Sequence, residues 1–234
     1  MNSRKFAVIF LIIGIFLSAC SNSEEQPIEG DQETGEVPIE KEDNNKTALE
    51  EKDAVVTIND ETFYADDLEF FTLMENIQFE INRHYDQQEY EGAELEDRNV
   101  YWDDQFQYYV NVNVQLQNLI EIYAMALLAK EKNYFNPVED IDQEVVAFYS
   151  GVENIPAVQE LVVDFGETEF RRKIDEYMDY SLLRDRVVDD LIEDLKTEKP
   201  NMSEEELNYE LAKAYEDLFM DHMNDLQVDI HIGK

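Results

Sequence analysis

From Ala65 to Met223 the apolar residues return every three or four positions, and that period commits most of the chain to amphipathic helices. Leu68, Phe71 and Met74 begin the first stripe, with Phe70, Ile77 and Ile81 widening it, behind the capping run Ala65-Asp66-Asp67. Residues 85–99 lose the pattern among Asp, Glu, Gln and a glycine, which predicts an exposed loop. Phe106, Tyr109, Val110, Leu116, Leu119, Ile120, Tyr123, Leu127 and Leu128 then fit one continuous helix, the longest expected, ending near Asn133 ahead of Asn136-Pro137. Asp140 to Ser150 and Ala157 to Phe165 read as two short helices, the second stopped at Gly166, where a left-handed cap suits glycine. Phe170, Ile174, Tyr177, Arg184, Val187 and Leu191 mark a long helix from Glu167 to about Leu195. After the break at Pro200, Ser203-Glu204-Glu205-Glu206 matches a capping box for a last helix through Leu207, Leu211, Ala214 and Leu218.

The two ends of this region follow a different period. Ala54 to Ile58 is a β-branched run closed by the turn pair Asn59-Asp60, Phe63-Tyr64 extends again beyond it, and Leu226 to Ile232 alternates apolar with polar. The backbone of a solitary strand needs a partner, so the two terminal strands are expected to pair with each other. The fold class that follows is mainly α, with about five to six helices and a small two-stranded sheet formed by the N- and C-terminal strands. Residues 54–234 form one domain, and ten of the chain's thirteen Phe, all thirteen Tyr and the one Trp supply its bulk.

Ahead of that domain stand two segments of other kinds. Arg4-Lys5, an apolar run from Phe6 to Leu17 and the small residues Ser18-Ala19 precede Cys20, the chain's only cysteine. The run is too short to span a bilayer and reads as a secretory signal peptide over residues 1–19. Its end resembles a bacterial lipobox, which implies cleavage between Ala19 and Cys20, lipid (palmitate-type) modification of Cys20, and a lipoprotein on the outer face of the cytoplasmic membrane of a Gram-positive bacterium. Residues 20–53 then form a tether: positions 21 to 53 hold twelve acids, two prolines and two glycines with few large apolar side chains. As a random coil this segment reaches about 30 Å from the membrane.

Charge excludes several classes of function. Fifty-six acidic residues against eighteen basic give a net charge of −38. Such a chain repels phosphates, carries no basic stripe, and is read as binding no nucleic acid. It repels anionic headgroups equally, so membrane attachment rests on the lipid anchor. With Cys20 acylated there is no disulfide, thiolate ligand or cysteine nucleophile. His84, His222 and His231 are dispersed and read as surface residues, and no metal-ligand spacing, phosphate loop or nucleophile elbow occurs. Asp140-Ile-Asp142-Gln-Glu144 lacks the central glycine and distal glutamate of a calcium loop and reads as a helix cap. No enzyme, cofactor or metal is expected.

The order of three segments carries a further reading. "VVTINDETFYADDLEFF", "LQNLIEIYAMALLAKEKNYFNPVEDIDQEV" and "VQELVVDFGETEFRRKIDEYMDYSLLRDRVVDDL" resemble the N-terminal chaperone domain of SurA, PrsA and trigger-factor-related extracytoplasmic folding factors. The likeness spans about residues 54 to 195, with Ile58-Asn59-Asp60, Ala65 to Leu68, Leu119 to Asn133, Val138 to Val145 and Gly166 to Ile174 at the family's motif positions. Asp60 and Asn133 stand where the family has glycine, and both types tolerate positive φ better than most. The family's parvulin prolyl-isomerase domain has no room between Leu195 and Ser203. The resemblance therefore implies binding of unfolded or newly secreted polypeptides without isomerase catalysis, and a non-catalytic adaptor for one envelope or spore partner is the alternative.

The aromatic stretch Tyr101-Trp102-Asp-Asp-Gln-Phe106-Gln-Tyr108-Tyr109 is the candidate client-binding surface: Trp102, Phe106, Tyr108 and Tyr109. Phe106 and Tyr109 lie on the expected core stripe, whereas Trp102 and Tyr108 lie off it and are the better binding candidates. An open apolar cleft between the helix at 100–133 and the last two helices would favour clients; a filled one would favour an adaptor.

Overall fold

The computed structural model describes residues 53–232. The signal peptide, Cys20 and nearly all of the tether lie outside the described residues. The chain divides into units at 49/50, and the second unit contains every described residue.

The fold begins with a hairpin. β1 (Ala54–Ile58) turns through Asn59-Asp60 into β2 (Glu61–Tyr64). Asn59 adopts φ 52°, so the left-handed turn position falls on the asparagine and not on Asp60. β1 also pairs antiparallel with β3 (Val228–Ile230), Thr57 opposite Asp229. The terminal strands meet as expected, but the sheet has three strands in the order β2-β1-β3 because the Phe63-Tyr64 extension pairs too. Val55, Val56, Ile58 and Phe63 face the core.

Seven helices occupy most of the described residues: α1 (Ala65–Glu89), α2 (Gly92–Tyr109), α3 (Val112–Glu131), α4 (Val138–Val152), α5 (Pro156–Phe165), α6 (Glu167–Glu198) and α7 (Glu204–Met223). The molecule is thus mainly α with a small antiparallel sheet. The capping box at Ser203 is formed, its hydroxyl accepting from Glu206 N–H while the Glu206 carboxylate accepts from Ser203 N–H. Gly166 (φ 102°) separates α5 from α6 as the sequence predicts, and Asn133 takes φ 65° after α3.

The core is built around α3 and α6. Leu119, Ile122 and Met125 on α3 and Ile174, Leu183 and Val187 on α6 are essentially sealed from solvent, and Ala124, Ala126 and Ala129 let the two helices approach closely. The first half of α1 adds Phe70, which meets Phe165, Phe170 and Tyr177 at ring-centroid distances of 5.6, 5.4 and 6.0 Å. Such edge-on and tilted pairs add about 0.5–1.5 kcal/mol each beyond burial.

Two expectations are corrected. Residues 85–99 are helical: α1 continues to Glu89, turns across Tyr90-Glu91, and α2 starts at Gly92, whose φ of 62° suits the reversal. The expected single helix over 100–133 is two, broken at Val110-Asn111, where the Asn111 side chain accepts from Asn113 N–H at 2.9 Å and starts α3 afresh. The longest helix is accordingly α6, with 32 residues.

Candidate functional site

The break at Asn111 decides how the aromatic stretch is displayed. Four contacts run in opposite directions along α1 and α2. Arg98 donates to Tyr90 Oη at 3.1 Å, and Trp102 Nε1 donates to Asp86 at 2.7 Å. Arg83 pairs with Asp103 at 2.8 Å, and Tyr109 meets Phe79 ring to ring at 5.2 Å. The two helices therefore form an antiparallel hairpin. Phe79 is the last buried residue of α1 and α2 has none, so the hairpin beyond Phe79 is an arm standing away from the core. Ten residues of α1 give that arm a reach of about 15 Å.

Leu95, Asn99, Trp102 and Tyr109 share the stripe of α2 turned toward α1. Trp102, expected off the packed stripe, is on it, held between Phe79 (6.0 Å) and Tyr101 (4.8 Å). Tyr109 packs inward as the sequence allowed. Phe106, expected inside, is on the same side of the helix as Asn99 and Trp102 but is 37% exposed, and Tyr108, on the other side, is exposed at 41%. Trp102 lies seven residues before Tyr109, so the two share one side of the helix, and Phe79 of α1 covers that side.

The surface between α3 and the last two helices is filled. Leu211, Ala212 and Tyr215 of α7 are buried against α3 and α6, and Tyr215 Oη donates to Glu121 at 3.0 Å. A cleft lies elsewhere, between β2, α1 and α6, with a volume of about 200 Å³ and walls that include Glu61, Tyr64, Lys173, Glu176 and Tyr180. It is smaller than the pockets that enclose drug-sized molecules. At its edge the Lys173 ammonium bonds both Asp66, at 2.8 Å, and Asp67. Burial alone would lower the Lys173 pKa, but the two carboxylates outweigh it and raise it. These neighbouring aspartates converge on one cation although side by side in sequence.

Beneath the arm lies a polar cluster inside the core. Glu75 on α1 is buried and accepts from Asn118 Nδ2 of α3 at 2.9 Å. Arg184 on α6 is buried and donates to Asp185 at 3.0 Å. Burial pushes the carboxyls of Glu75, Glu121 and Asp185 above their ordinary range, and Arg184 only partly offsets this. The Tyr109 hydroxyl is raised by burial and by the charges of Glu75 and Glu121. Three carboxylates from three helices thus surround a single guanidinium. Arg184 falls on the apolar period of α6 in the sequence, and that misplaced charge was the one signal of the cluster.

The histidines are not all superficial. His222 is buried with Nδ1 3.9 Å from Glu131, because the last turn of α7 folds onto α3. His231 Nε2 lies 2.9 Å from Thr57 Oγ1, and His84 Nε2 lies 2.7 Å from Gln88. Among the described residues no group of three His, Cys, Asp or Glu is placed to hold a metal ion. No family model, curated protein or solved structure matches the chain.

Proposed function

We propose that this protein is a membrane-tethered extracytoplasmic lipoprotein that holds unfolded or newly secreted polypeptides without catalysis, in the manner of SurA- and PrsA-like chaperone domains. The observation that carries the reading is the arm: an 18-residue helix, α2, with no buried residue and with Tyr101, Phe106 and Tyr108 open to solvent. Large apolar side chains displayed on a polar helix favour contact with varied sequences at modest affinity. The lipobox-like Cys20 and the acidic tether would keep that arm close to the membrane.

The test is suppression of aggregation of a reduced, unfolded client by the chain from residue 21; no effect at several-fold molar excess sinks the holding role. Loss of labelling by a palmitate analogue in Cys20→Ser tests the anchor, and retention of the label overturns it. Acceleration of proline-peptide isomerisation by the purified protein would overturn the non-catalytic part.

One observation favours a second reading. The filled surface between α3, α6 and α7 suits an adaptor that presents the arm to one folded envelope or spore partner. Photocrosslinking from position 101 separates the two: many clients support holding, and a single stoichiometric partner supports the adaptor.

A further inference from the structure

We infer that the outer face of α2 docks cationic, apolar segments of unfolded polypeptide, with lysine or arginine side chains seated on Tyr101 and Tyr108. The inference rests on the polypeptide-holding reading and names the class of segment held.

Glu94, Asp97, Tyr101, Asp104 and Tyr108 are spaced three, four, three and four residues apart and all are exposed, so they form one stripe along the helix. Tyr101 and Tyr108 stand two turns, about 10.5 Å, apart on it, with carboxylates on either side of Tyr101. This stripe is rotated away from the one that packs on α1.

The charge around it is one-sided. Residues 80–104 contain nine carboxylates and two arginines, and no lysine occurs between positions 53 and 129. Both arginines are engaged within the arm: Arg83 with Asp103 and Glu80, and Arg98 stacked over the Tyr90 ring at 4.7 Å. The stripe therefore presents acids without internal cations to neutralise them. The molecule already seats cations on tyrosine elsewhere, Lys130 over Tyr180 at 5.2 Å and Arg171 over Tyr149 at 5.6 Å. Among the described residues Tyr101 and Tyr108 carry no such cation. An ammonium or guanidinium placed there gains the ring face and a carboxylate one turn away, while flanking apolar side chains of the segment meet the exposed Val100 beside the stripe.

Charge also decides against the other occupants. The chain's own tether carries twelve acids between positions 21 and 53 against three lysines, and a second copy presents the same acidic face. Both are repelled, and the repulsion that excludes them steers basic segments inward.

The test uses the full-length protein in phosphatidylcholine vesicles and reads the emission of Trp102, the only tryptophan, which touches Tyr101. Three Trp-free peptides of equal length are titrated: one mixing lysine with leucine and phenylalanine, its glutamate analogue, and a lysine-serine peptide. The first should bind at least about tenfold tighter than the second at low salt, with most of that advantage gone at about 0.5 M salt. It should also bind at least about fivefold tighter than the third, since apolar flanks are part of the site. The double variant Tyr101→Ser, Tyr108→Ser should lose about fivefold or more of the affinity while staying folded, with its helical circular dichroism retained and its melting temperature lowered by no more than about 8 °C. Equal binding of the acidic peptide, equal binding of the lysine-serine peptide, or an unaffected double variant overturns the inference. Client aggregation run in parallel separates the two levels: suppression retained by the double variant defeats this surface and leaves holding intact. Peptide binding without suppression defeats holding and leaves the surface intact.

Discussion

α2 and α3 follow each other in the chain with only Val110 and Asn111 between them, and they have nearly the same length, yet they live in different environments. Ten residues of α3 are buried and none of α2 is. The difference is one of side-chain type as well as number. α3 carries alanines and aliphatic residues that pack on all sides, whereas α2 carries tyrosines, a tryptophan and acids, which give one partly wet stripe and one open face. The same chain thus builds a stability-bearing helix and a display helix back to back, and a single asparagine cap divides them.

The sharpest way to break that division is to remove the core's only cluster cation. Arg184→Met leaves Glu75, Glu121 and Asp185 without their guanidinium, and unfolding in urea at neutral pH should show a loss of about 3–5 kcal/mol. Leu119→Ala, at a site with no exposure, should cost about 2–5 kcal/mol by the same measurement. On the display side, Tyr101→Ala gives up only the edge-on contact with Trp102 and should change stability by no more than about 1 kcal/mol. A loss there comparable to Leu119→Ala would erase the contrast between the helices.

Lowering the pH tests the same cluster from another direction. Glu75, Glu121 and Asp185 have folded-state pKa values raised above their ordinary values of 4.5, 4.5 and 3.8. The folded state therefore binds more protons than the unfolded state across the window between those values and the raised ones. Stability from this source is complete below the ordinary carboxylate range and is lost as pH rises through the raised values. The urea midpoint should climb from pH 7 to pH 5, and Glu75→Gln should flatten the climb. A midpoint that falls on acidification would show the cluster to be fully compensated at neutral pH. The most local effect is that of Asn111→Ala, which removes the cap and should cost about 1 kcal/mol, read as faster amide exchange in the first turn of α3.

Much of this architecture was legible in the residues, because each helix of the core carries its own punctuation. Gly166, Pro200 and the Ser203 box fixed three boundaries, and the alternation from Leu226 onward gave β3. The arm was not legible for two connected reasons. Its stripe of Leu95, Asn99, Trp102 and Tyr109 is half polar, so burial against one neighbour leaves a faint period. Asn111 was also concealed among apolar residues on both sides, which made two helices look like one. The buried cluster was hidden more deeply, since Glu75, Asn118 and Arg184 come together only when α1, α3 and α6 pack.

The pairing of β1 with β3 has a consequence for the order of folding. Thr57 and His231 share a hydrogen bond across 174 positions of sequence. The strand that opens the domain acquires its second neighbour only when the far end of the domain returns to it, a long-range closure that slows folding. Until then one edge of β1 is bare and open to other strands. The sheet is thus a proof of completeness: a chain clipped anywhere before Val228 keeps its arm but cannot shut its own first strand.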